Sequence, residues 1–126
     1  MTTPTPETSV LDALRDAINS GDPGRVADCF TDDYRAELPH HPERSFTGNE
    51  HVRKNWTMIF AQISDLEATV LRTARSGGEI WSEWHMTGRA ADGSPVTLVG
   101  PVVLTTRGAK ISWARFYVDR AGTPAD

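Results

Sequence analysis

The residues able to do chemistry fall in a few short stretches, and the densest is GEIWSEWHMTG, residues 78–88, where Glu83 and His85 stand two apart. An imidazole beside a carboxylate titrates near neutral pH and is a natural general acid/base pair. Side chains of an extended strand alternate, so Trp81, Glu83 and His85 point one way and Ser82, Trp84 and Met86 the other. Only one of these sets can line a site. His40 and His41, held between Pro39 and Pro42, are a second titratable pair. They lack the H-x-H or H-x-x-x-H spacing with carboxylate support that a metal would need, so no metal is expected. Tyr34 offers a phenolic hydrogen bond. Asn55 offers an amide donor and acceptor beside Trp56, whose flat ring suits stacking, and together they would orient a carbonyl-bearing ligand. Asp32 and Asp33 are read as the turn that ends a helix, and Arg53 and Lys54 as its neighbour's solvated side.

These residues need elements to position them. Val10, Leu11, Leu14, Ala17 and Ile18 recur at helical spacing and Gly21 follows as a stop, which predicts a first amphipathic helix. Asp22-Pro23 reads as an N-cap and first-turn proline of a short second helix running through Val26, Ala27 and Phe30. A short strand is expected from Tyr34 to Leu38, then a proline-interrupted loop. Thr47-Gly48-Asn49-Glu50 fits a capping box for a third helix with Val52, Trp56, Ile59, Phe60 and Ile63 on its apolar face. After Ser64 the sequence turns β-branched and aromatic in four runs, with Asp92-Gly93 and Arg107-Gly108 as hairpin turns. Helices followed by strands predict an α+β domain, a curved antiparallel sheet wrapped around three N-terminal helices. It spans residues 8–120, with flexible termini at 1–7 and 121–126.

The bulk numbers exclude several function classes. A chain of 126 residues, 38% hydrophobic and 24% charged, is long enough for one domain with a real core. Its net charge of −4, with no Lys/Arg run, argues against a nucleic-acid partner. The single cysteine, Cys29, allows neither an internal disulfide nor a thiolate zinc cluster and reads as a small buried hydrophobe. The polar start MTTPTPETS resembles no signal peptide, and no apolar run approaches the ~18 residues of a membrane span. A cytoplasmic protein without membrane contact is expected.

The segments INSGDPGRVADCFTDDYRAELPHHP, FTGNEHVRKNW, EIWSEWHMTG and KISWARFYVD, in that order, resemble the SnoaL-like group of the nuclear transport factor 2-like superfamily from about Val10 to Asp119. The resemblance implies a cone whose concave sheet face and helices enclose a pocket, and whose convex face often pairs with a second subunit. It does not decide the chemistry, since the superfamily holds isomerases, cyclases, epoxide hydrolases, dehydratases and non-catalytic modules. Aligned to a ketosteroid isomerase of this fold, the oxyanion-hole tyrosine falls on Leu14, the base on Leu38 and the donor aspartate on Val103. The last-strand aspartate of SnoaL-like cyclases falls on Phe116. The charges of a limonene epoxide hydrolase site would be needed near Trp84, Met86 and Phe116. None of those groups is present.

The alignment implies a pocket lined by Leu14, Leu38, Trp56, Ser82, Trp84, Met86, Val103 and Phe116. Trp81, Glu83 and His85 then join Trp113, Arg115 and Tyr117 in a belt of aromatics and charge suited to a protein interface. A bulge near Ser82 would exchange these faces. The expected protein is a homodimer, paired through its convex sheet face, that binds an apolar cyclic or polyketide-like molecule without a cofactor. It is read as an isomerase, cyclase or dehydratase-type enzyme with polar assistance from His40, Asn55, Tyr34 or Ser82. The competing readings are a non-catalytic ligand binder or a dimerisation module of the same fold.

Overall fold

A computed structural model describes residues 6–121, with side chains from residue 10. The first helix, α1 (Pro6–Ser20), places Val10, Leu11, Leu14, Ala17 and Ile18 on one buried stripe. It stops at Gly21, whose φ of +73° is a left-handed conformation that glycine adopts at no steric cost. Asp22 caps α2 (Pro23–Ala27) through Oδ1, which accepts from the amides of Gly24 at 2.9 Å and Arg25 at 3.4 Å. Cap and proline thus act as their types predict, but the helix ends before Phe30.

Phe30 instead opens β1 (Phe30–Glu37), so this strand begins four residues earlier than its alternation suggests. Asp32 and Asp33 therefore lie within a strand and form no turn. Asp33 is exposed and paired with Arg107 at 3.1 Å; hydrogen bonds from Arg107 and then Thr31 hold its carboxyl below the usual range. A 3-10 turn at Pro42–Arg44 leads to β2 (Phe46–Thr47) and then α3 (Asn49–Gln62). The capping box expected at Thr47 is not made. Thr47 is held in register with Arg35 of β1, and the N-cap position falls on Gly48 without a side-chain cap.

The remaining strands are β3 (Ser64–Ser76), β4 (Glu79–Arg89), β5 (Pro95–Arg107), β6 (Lys110–Phe116) and β7 (Asp119–Arg120). They pair in the order β2-β1-β6-β5-β4-β3, with β7 also on β5. The sheet is curved and unclosed, and it is mixed: β1 runs parallel to β6 while every other pairing is antiparallel. The last predicted strand is divided in two at Tyr117-Val118. Both glycine turns form as expected, with Gly93 and Gly108 at positive φ.

One apolar cluster fills the space between the concave sheet face and the helices. α1 docks on the sheet through Asn19, whose Nδ2 donates to Ala68 O at 3.2 Å and whose Oδ1 accepts from Ala68 N at 2.6 Å. Those are backbone groups of an edge strand, which would otherwise invite another strand to pair. No described helix is long and apolar enough to cross a membrane.

Candidate functional site

The faces of the sheet follow from its register. β4 is regular along its length and buries Ile80, Ser82, Trp84 and Met86. The two irregularities of this pairing lie on its neighbour β3, between Ser64 and Glu67 and between Val70 and Arg72, so the faces of β4 are not exchanged. Ser82 pairs with Val102, and Val102 with Phe116, which places all three on the concave side. Val103 does not join them. It pairs with Trp81 and Arg115, so its side chain belongs to the convex face, and it stands outside the core cluster although it is buried. Assigning Val103 to the pocket was a one-residue slip of register. The inward residue at this level is Val102.

The other expected lining residues divide into a buried floor and a half-buried rim of the core. Leu14, Ser82, Trp84 and Met86 are each at most 3% exposed. Ser82 is fully engaged: its Oγ donates to Val102 O at 2.9 Å and accepts from Trp84 Nε1 at 2.9 Å. Its only proton is committed to the backbone, so it has none to give a ligand. Leu38, Trp56 and Phe116 are half-buried, with Phe46, Phe60 and Val118 beside them at the edge of the core. Asn55 is half-buried next to Trp56, whose ring lies 5.4 Å from that of Phe60.

Tyr34 lies in the core on the concave face. Its side chain is 1% exposed, with Phe30 at 4.4 Å and Phe46 at 6.0 Å between ring centroids. The phenol has no hydrogen-bond partner among the described residues, and burial raises its pKa, so it remains a neutral donor across the biological pH range. His40 is exposed at the end of β1, with its ring edge-on to Tyr117 at 6.0 Å. His41 is exposed and 3.8 Å from Glu43. The structure therefore gathers Tyr34 and the floor residues inside, and leaves His40 at the outer edge.

Glu83 and His85 lie on the convex face. The carboxylate of Glu83 meets Arg72 Nε at 2.8 Å, and His85 stands in register with Thr69 and Val99. Burial, then the charge of Asp28, pushes the Cys29 thiol up, so it is no thiolate nucleophile. Among the described residues no three His, Cys, Asp or Glu side chains gather as a metal site. Two hollows lie away from the floor. One of about 280 Å³ lies near the end of α1, by Asn19, Phe60 and Asp65. The other, about 500 Å³, bends round the sheet edge past Arg35, Glu37, Leu38, Phe46 and Arg115. Arg35 and Glu37 escaped the sequence reading, which placed Arg115 only in the convex belt, because the parallel β1–β6 pairing that brings the three together has no local signal.

No curated protein matches the sequence. Solved structures do. A protein of ketosteroid isomerase-like fold from Catenulispora acidiphila, solved with trimethylamine, shares 22% identity at a TM-score of 0.74, over 92% of this chain and 87% of that one. A proposed isomerase from Bacillus subtilis shares 19% at 0.81, over 90% and 86%. IdmH, a proposed polyketide cyclase from Streptomyces antibioticus, shares 19% at 0.76, over 90% and 91%. Identities this low establish the fold alone. A family model describing the SnoaL-like domain matches residues 11–114, nearly the whole described chain, and with the helix-filled curved sheet this makes the protein a member of the SnoaL-like family within the nuclear transport factor 2-like fold.

Proposed function

We propose that this SnoaL-like protein binds an apolar cyclic or polyketide-like ligand carrying a carbonyl, and that it acts as an isomerase, cyclase or dehydratase-type enzyme. The observation that carries the reading is the buried, unpartnered phenol of Tyr34 on the concave face. The hydroxyl has no protein partner among the described residues, and a ligand oxygen accepting its proton would add a hydrogen bond of about 0.5–1.5 kcal/mol. The same bond strengthens as a carbonyl becomes an enolate, which is the condition for lowering a barrier. Asn55 would be the second donor and His40, at the rim, the proton carrier. A ligand would enter past Trp56 and Phe116, on the half-buried side of the core.

The test is isomerisation of cyclohex-3-en-1-one to its conjugated isomer, followed by ultraviolet absorbance in the wild type and in Tyr34→Phe. Loss of the donor should lower turnover about 100-fold. Equal rates in the two proteins, or no turnover together with no ketone binding, would remove the proposal. Binding that weakens in Tyr34→Phe without any turnover selects the non-catalytic reading, which the absence of an interior carboxylate among the described residues favours.

We propose further that the convex face pairs with a second copy of the chain, centred on β4 and β5, where Trp81 is 44% and Val99 39% exposed. Trp81→Glu would place a charge at that centre. Sedimentation should show a wild-type dimer and a monomeric, folded variant; a wild-type monomer at high micromolar concentration would refute the pairing.

A further inference from the structure

We infer that the groove at the β1–β2 edge is a second ligand site, separate from the cone interior, for a small carboxylate with an apolar body. Its volume of about 500 Å³ is within the usual range for a small-molecule site. Its two sides differ in chemistry. Leu38 and Phe46 are half-buried residues of the concave side, and Phe46 is fixed there by its register with Ala36. Arg35 and Glu37 lie on the other face of the same strand, in register with Trp113 and Arg115 of β6.

The charges on that side favour an anion. Arg115 is held by Glu37, Nε to Oε2 at 3.2 Å, and its guanidinium carbon lies 5.6 Å from the Tyr117 ring centroid. It is fixed from two directions and its charge is balanced. Arg35 is exposed and has no ion pair or hydrogen bond among the described residues. The groove thus holds two guanidiniums against one carboxylate in a chain whose net charge is −4. The surplus is one positive charge with a planar fork, the geometry that suits a carboxylate. The apolar side restricts the ligand further: a bare anion would leave Leu38 and Phe46 uncovered, whereas an aryl or short alkyl body would cover them.

The probe is 4-phenylbutyrate, titrated calorimetrically, with neutral 4-phenylbutyramide as its shape-matched control. The wild type should bind the acid at least about tenfold more tightly than the amide, the loss expected for one charge-assisted contact. Arg35→Gln, an exposed position unlinked to the core, should lose that factor. Arg35→Lys should recover the charge but only part of the affinity. Tyr34→Phe should leave phenylbutyrate binding unchanged, which separates this site from the cone interior. Equal affinity for acid and amide, no effect of Arg35→Gln, binding abolished by Tyr34→Phe, or no binding at millimolar concentration would each overturn the assignment.

Discussion

Trp84→Ala is expected to destabilise the fold by about 3–5 kcal/mol, seen as a lower urea midpoint with an unchanged slope. Trp84 is the largest fully buried side chain, 1% exposed, on the central part of a strand hydrogen-bonded on both sides. Its removal deletes the packing of the whole floor and also takes the indole donor from Ser82 Oγ. Two milder variants separate those contributions. Ser82→Ala leaves Trp84 Nε1 buried without an acceptor and also frees Val102 O, so about 1–3 kcal/mol should be lost. Trp84→Phe keeps most of the volume and loses only the hydrogen bond and part of the ring, so it should fall between Ser82→Ala and Trp84→Ala. A cost below about 1 kcal/mol for Trp84→Ala would mean that the floor is not packed as described.

That tryptophan also marks how far sequence reasoning reaches in this protein. Strict alternation in GEIWSEWHMTG separates two faces, and burial of Ser82, Trp84 and Met86 follows from it because no bulge interrupts β4. The Asp22 cap and the glycine turns were equally legible, since each depends on side chains within a few residues. What was not legible is non-local. The parallel joining of β1 to β6 has no sequence signature, so neither the mixed sheet nor the clustering of Arg35, Glu37 and Arg115 was visible. Val103 shows a different failure. Val102, Val103 and Leu104 are three consecutive buried apolar residues, and alternation cannot pick the inward member when both faces are covered. Thr47 failed for a third reason: a valid capping pattern lost to strand pairing with Arg35. The candidate donor Tyr34 was recognisable as a residue type. Its lack of a partner belongs to the packed structure alone.

Gly100→Ala should be the second severe change, costing about 2–5 kcal/mol through strain and steric overlap together. Gly100 has φ of +147°, a region a side chain rarely enters. A Cβ there would collide with the carbonyl oxygen of Tyr117, and would lie 2.9 Å from its carbonyl carbon and 3.0 Å from Val118 Cα. These are backbone atoms, so no rotamer change relieves the clash; the chain itself must move. The chain at this point is the break between β6 and β7, held to β5 by Tyr117 N to Pro101 O at 2.9 Å and by the pairing of Leu98 and Val99 with Arg120 and Asp119. Amide hydrogen exchange should therefore report lost protection at residues 117–121 before the rest of the sheet opens. The consequence for the site follows from register. Gly100 is the partner of Trp84, Phe116 and Val118 flank the displaced segment at the rim, and Tyr117 carries the ring against which His40 and Arg115 rest. One methyl group at Gly100 should thus disturb both proposed sites. Phenylbutyrate affinity should fall through Arg115 although Arg35 is untouched, whereas native protection at 117–121 with full affinity would show that β5 accommodates the side chain and that the glycine is dispensable.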